Sequence, residues 1–279
     1  MVKFILSTLL SFVGLHAEPP KVTVFVHGTD LIPKTLIKPL ERLIRHKPGM
    51  FALKESKLQY KYAKYLNSLC KHNPETFPKK DAHLFCWSGK LSHKARVKAA
   101  QDLHKELNTL SLKYKKRIHL SVVTHSHGGN VVLNLARIKE KREYTINKLV
   151  LLAVPVQEET KHCVTAECFK STTIYSAYST GDMVQILDPQ GLKHHTREYR
   201  RIFCKSATKK RKKTKKKKIP LFSQRTFCHK HVHHIKVKNG KRSIAHIEFL
   251  LPPFTKMLTT LLKNAAQHDF SKDILKFKY

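Results

Sequence analysis

Acidic side chains are scarce. Asp and Glu number 19 against 55 Lys and Arg, which leaves a net charge of +36 spread along 279 residues. That imbalance favours anionic surroundings such as phospholipid headgroups, acidic polysaccharide or nucleic acid, with salt-dependent affinity, and says little about the fold. A lysine-rich composition that serves only solubility is the competing account. Also missing, beyond the amino terminus, is any apolar run long enough to span a bilayer. The H-E-x-x-H helix signature of zinc hydrolases does not occur. Histidines do crowd one stretch, at His229, His231, His233 and His234, but the run from His231 to Val237 alternates like a strand. A metal site needs ligands converging on one point, so no metal is expected.

Residues Met1 to Ala17 combine a basic start at Lys3, an apolar core from Phe4 to Leu15 and a small residue at Ala17 before Glu18-Pro19-Pro20. This pattern predicts a secretory signal peptide over residues 1–17 and an exported chain, periplasmic or extracellular, beginning near Glu18. Leu15 is an imperfect residue for the cleavage site, so an uncleaved membrane anchor is the alternative. No cysteine follows the apolar run at once, which argues against lipid modification there. Six cysteines in an exported chain permit disulfides; Cys163 and Cys168 share one loop region and form the expected pair, and Cys86, inside an apolar run, is expected as a buried thiol.

The remaining length suits one large α/β domain over residues 18–279. Apolar, β-branched runs at Lys21–His27, Ala82–Trp87, Ile118–Val123, Leu149–Val154 and Thr172–Tyr178 read as buried strands. Between them, Leu36–Arg45, Lys57–Leu69, Leu91–Leu110 and the stretch from Asn130 to about Lys141 carry helical patterns, and a last helix is expected from about Pro252 to Ala266. Strands alternating with helices at this spacing predict a mostly parallel, doubly wound sheet with helices on both faces. The run Lys209–Lys218, KKRKKTKKKK, repels itself and predicts a disordered basic insertion at about 205–220. It is a solvated loop first; attachment to an anionic membrane and binding of nucleic acid are its functional readings, the second weaker.

One stretch organises the rest. Ile118 to Leu135 opens as a strand, breaks at Thr124-His125-Ser126-His127-Gly128 and resumes as a helix. A tight strand-to-helix turn lifts a serine hydroxyl clear of the sheet and turns the next backbone N–H toward the same space, so Ser126 is the candidate nucleophile. The pattern is G-x-S-x-G with Thr124 in place of the first glycine. The first strand runs into His27-Gly28-Thr29; Ser179-Thr180-Gly181-Asp182 follows a later strand; Ser243-Ile244-Ala245-His246 precedes the last helix.

In this order, VFVHGT, THSHGG, STGD and SIAHIE resemble the lipase and esterase members of the α/β-hydrolase superfamily, over about Val22 to Leu262. The resemblance implies the α/β-hydrolase fold in a compact version lacking the first strands of larger members. It also implies a Ser126–His246–Asp182 triad, with an oxyanion hole from the backbone N–H groups of Thr29 and His127. Asp188 is the second choice for the acid and otherwise reads as part of an ordinary turn; His268 is a poorer choice for the base. His27 is expected to position its loop beside the substrate, and Trp87, in a Trp-Ser-Gly segment similar to that of lipase-like members, to line an acyl pocket. The implied activity is hydrolysis of carboxylic esters, lipid-like ones first, through an acyl-enzyme and without a cofactor. Partners are then an ester or lipid substrate and an anionic membrane surface. An exported, non-catalytic protein that binds polyanions or membranes on the same fold is the alternative.

Overall fold

The apolar runs become the middle of one sheet. In the computed structural model, which describes residues 18–29, 47–56, 61–114, 118–188, 223–270 and 274–279, nine strands lie in the order β2-β3-β1-β4-β5-β6-β7-β8, with β9 also paired to β7. They are β1 (Lys21–Val26), β2 (Gly49–Ala52), β3 (Ala82–Cys86), β4 (His119–His125), β5 (Ile146–Leu152), β6 (Thr173–Tyr178), β7 (Val232–Asn239), β8 (Arg242–Ser243) and β9 (Leu275–Lys278). The pairs β3-β1-β4-β5-β6-β7 and β7-β9 are parallel, whereas β2-β3 and β7-β8 are antiparallel.

Continuous apolar strands make sense only when both sheet faces are covered. Alternate residues of β1 show it: Val22, Val24 and Val26 enter one core while Phe25 enters the other. The first core is closed by α2 (His93–Tyr114) and α3 (His127–Leu133), the second by α1 (Lys61–His72) and α5 (Pro252–Gln267). On α1 the buried side chains Tyr62, Ala63, Tyr65, Leu66, Leu69 and Cys70 form a single stripe at helical spacing. Proline at the first position of α5 costs no intrahelical bond and fixes its start. A fifth helix, α4 (Val184–Leu187), is a single turn. The chain is therefore an α/β protein with a mostly parallel, mixed sheet between two helical layers.

Several expectations need correction. The helix after Ser126 stops at Leu133 and tightens into a 3-10 turn, Asn134–Arg137, well short of Lys141. Asn134 donates its side-chain amide to the Asn130 carbonyl at 2.7 Å, a local bond that competes with the helical ladder. The short edge strand β2 was not expected, and β9 follows the helix expected to be last. Cys163 and Cys168 form no disulfide: they sit in two successive 3-10 turns as free, part-buried thiols packed against the first core, and burial raises the pKa of both. Cys86 is buried at the end of β3. The expected signal peptide, the helix expected at Leu36–Arg45 and the basic run lie outside the described residues. Among the described residues no helix is long and apolar enough to cross a membrane, and no strand precedes β1.

Candidate active site

The turn between β4 and α3 is the strained point of the backbone. Ser126 has φ 53° and ψ −134°, and Ala153 is the other described residue besides glycine with positive φ. Such a conformation persists only where the surroundings over-determine it. Here the Ser126 N–H donates to Leu152 O at 2.9 Å, and the Gly129 N–H donates to Ser126 O at 3.0 Å. The strand and helix backbones close on each other so tightly that a Cβ at Gly128 would lie 2.3 Å from Val26 O and 2.6 Å from His27 O. A Cβ at Gly28 would meet Ser126 Cβ at 2.8 Å. Thr124 fits where a first glycine was expected because it is still in strand geometry. It is fully buried, and its hydroxyl donates to Val150 O at 3.3 Å across to β5.

Ser126 opens onto a cleft of about 530 Å³ whose walls are largely apolar. Thr29, Tyr62, His125, His127, Asp188 and His246 contribute to the same walls. His246 Nδ1 lies 2.7 Å from Asp182 Oδ2. Asp182 is completely buried. Its other oxygen accepts the Gln185 N–H at 3.0 Å, and Gln185 is itself tied to Val154 O at 2.7 Å. With the carboxylate accepting from Nδ1–H, Nε2 is left as the basic nitrogen. Ser126 and His246 share the cleft, although among the described residues no hydrogen bond joins them.

Both loops are held from behind. Arg225 donates to three carbonyls of the loop that carries Asp182, from Nε to Ser179 O at 3.0 Å and from Nη2 to Thr180 O at 3.0 Å and Asp182 O at 3.1 Å. The 3-10 turn His246–Leu250 is fixed by Glu248, which accepts the Ala245 N–H at 2.7 Å and a two-toothed contact from Arg242 at 2.8 and 2.6 Å. His125 packs its ring 4.6 Å from that of His246, and its Nε2 lies 3.0 Å from His246 O. Burial, reinforced by the neighbouring His246, pushes the pKa of His125 well below the usual histidine value. His125 is thus a neutral ring that donates to the backbone of His246.

A second histidine and carboxylate pair lies on the other side of Ser126. His127 Nε2 is 3.1 Å from Asp188 Oδ1, and both side chains are buried. Asp188 Oδ2 accepts from Gln157 Nε2 at 2.5 Å and from Ser223 Oγ at 2.8 Å, and Gln157 Oε1 accepts from the buried Arg96 at 2.7 Å. Burial alone would raise the Asp188 carboxyl, but the hydrogen bond from His127, with those from Gln157 and Ser223, holds it down at about 2. Burial lowers the pKa of His127, so the pair is a neutral imidazole donating to an ionised carboxylate. Asp188 is therefore no ordinary turn residue. It anchors the side chain that follows Ser126.

Two expected substrate contacts fall elsewhere. Trp87 does not line the cleft: it is buried in the first core, and its indole N–H donates to His27 O at 2.7 Å. The His27 ring does not line the cleft either; it lies between Tyr62 and Trp87 and accepts the Trp87 backbone N–H at 3.1 Å. Together they brace the loop that presents Thr29. Thr29 lines the cleft, and its hydroxyl is buried with no hydrogen-bond partner among the described residues. Arg225, Gln185, Gln157 and Ser223 carried no local signal, because each acts on a carboxylate or carbonyl about 30 or more residues away or through its own backbone.

No model of a known protein family matches the chain, and no curated protein matches its sequence. Among solved structures it is similar to phospholipase PlaB from Legionella pneumophila in complex with thio-NAD, at 16% identity and a TM-score of 0.28 over 48% of this chain and 25% of that one. It is also similar to a hyperthermophilic esterase from the archaeon Pyrobaculum calidifontis, at 11% identity and a TM-score of 0.33 over 94% of this chain and 66% of the esterase. The chain thus spans a quarter of the first protein's length and just under two thirds of the second's. Likeness this distant assigns no family. What the cleft can do follows from its own geometry.

Proposed function

We propose that this chain is a serine hydrolase of the α/β-hydrolase type that cleaves carboxylic esters with an apolar acyl group. The observation that carries the reading is the buried Asp182 carboxylate 2.7 Å from His246, whose part-buried ring lines the same apolar cleft as a serine held at φ 53°. In this reading Ser126 Oγ attacks the ester carbonyl while His246 Nε2 takes its proton. Negative charge on the carbonyl oxygen is met by two backbone donors, Thr29 N–H and His127 N–H; the latter stands at the first helical position, where no intrahelical acceptor exists. Collapse expels the alcohol, which receives the proton from His246. Water, deprotonated by the same imidazole, then releases the acid and restores Ser126. Asp182 keeps the ring in the tautomer that both steps need and stabilises it when protonated. Export through residues 1–17 belongs to the same proposal.

The test is covalent labelling with a fluorophosphonate together with hydrolysis of nitrophenyl esters of graded acyl length. The wild type should take up the label stoichiometrically and prefer medium or long acyl chains, and Ser126→Ala should lose both label and turnover. Ester hydrolysis that survives in Ser126→Ala would overturn the assignment.

A further inference from the structure

Soluble proteins scatter exposed apolar side chains singly, so their concentration at one place is informative. Among the described residues eight large apolar side chains are exposed. Four of them, Leu91, Val184, Leu187 and Ile247, line the mouth of the cleft. Two more, Met183 and Leu251, are the immediate chain neighbours of cleft residues Val184 and Leu250. Three separate segments supply these six: the loop before α2, the turn α4, and the turn that carries His246. Met183 and Leu187 are 54% and 56% exposed and Ile247 is 53% exposed, so these side chains project from the surface around the opening instead of closing it.

Among the described residues, the exposed charges beside Leu91 are cationic. Lys61 is in the cleft wall, and Lys90 and Lys94 flank Leu91 as exposed cations. The nearby carboxylates are engaged: Asp182 and Asp188 are buried against histidines, and Glu248 is held by Arg242. An apolar rim with the exposed Lys90 and Lys94 beside it, on a molecule of net charge +36, complements a surface with negative headgroups over an apolar interior. We propose that this rim is the face on which the protein docks onto an anionic phospholipid bilayer, inserting Met183, Leu187 and Ile247 between the headgroups. Docking there turns the opening of the cleft toward the acyl chains. It rests on the hydrolase reading only for what the contact would serve, since the rim would bind whether or not Ser126 reacts.

The experiment measures co-sedimentation with vesicles of equal parts phosphatidylglycerol and phosphatidylcholine, and with phosphatidylcholine alone. The protein is the chain from Glu18 onward, which keeps every described residue, carrying Ser126→Ala so that no lipid is consumed. Emission of the single, buried Trp87 monitors the fold of each variant. The combined Met183→Ser, Leu187→Ser and Ile247→Ser variant should bind mixed vesicles about tenfold more weakly or worse. Leu112→Ser, which removes an equally exposed leucine far from the cleft, should leave binding unchanged. Raising salt to about 0.5 M should weaken wild-type binding, because the headgroup attraction is screened. Three results would overturn the proposal: equal binding by the rim variant and the wild type, equal affinity for both vesicle types, or a rim that holds two copies together so that its loss yields monomers with undiminished vesicle binding. Loss of fluorophosphonate labelling in the Ser126-bearing chain would bear on the hydrolase reading alone.

Discussion

Asp182 and Asp188 lie six residues apart and each holds an imidazole beside Ser126, yet their environments give them different work. Asp182 meets one imidazole nitrogen and one backbone N–H, and the histidine it orients is itself exposed to the cleft. Asp188 accepts from three side chains, and its partner His127 has its other ring nitrogen next to Asn130 Nδ2 at 3.4 Å, so neither nitrogen is free to move a proton. Asp188→Asn should therefore leave His246 chemistry in place while it destabilises the fold, because an amide N–H must face another donor. The sign of the pH effect follows from the lowered carboxyl. A value of about 2 in the folded chain against the usual 3.8 contributes roughly 2 kcal/mol above pH 4, lost as pH falls toward 2. Urea unfolding of the wild type and Asp188→Asn should differ by about that much or more at pH 7 and converge toward pH 2. A difference that does not depend on pH would show that the carboxyl is not ionised in the fold.

At the scale of elements, the contact between β1 and α3 decides whether the turn at Ser126 exists. Gly128→Ala puts a methyl group 2.3 Å from a backbone oxygen that cannot rotate away, so α3 must shift off β1. The expected cost is about 3 kcal/mol or more, seen as a lowered thermal midpoint together with slower fluorophosphonate labelling. Unchanged stability would mean that the two backbones are not so close. Much of this layout is legible in sequence, for a physical reason. Strands buried on both faces must be apolar without interruption, so VTVFV, AHLFC and LVLL announce themselves, and a serine in a sharp turn needs small residues beside it. The edges hide. β2 is four half-buried residues directly after Pro48, and β9 interleaves lysines with a single buried phenylalanine, Phe277. The partners of Asp188 hide too, because a hydrogen bond between residues 31 or 35 positions apart leaves no local pattern. Trp87 misleads for a related reason: its place at a strand end is visible, but its indole bond to His27 O is not.

For the molecule as a whole, histidine and lysine set the response to pH. Eight described histidines, at positions 83, 104, 119, 125, 127, 229, 233 and 234, have pKa values lowered chiefly by burial. A histidine held below its unfolded value stabilises the fold above that value and loses this contribution as pH falls, because the unfolded chain then binds protons the folded chain refuses. Each proton taken up also adds to a charge already far from neutral. Stability at constant ionic strength should fall steadily from pH 7.5 to about 5, read as the urea midpoint; a midpoint that rises over this interval would contradict the burial of these rings. The short turn α4 links these scales. Asp182, two residues before it, and Asp188, at its end, grip His246 and His127, and its outer side chains form one lip of the opening. Widening that entrance by lengthening the turn would slacken the grip on both imidazoles at once, so in the hydrolase proposed above a broader choice of substrate could not be reached there without giving up speed.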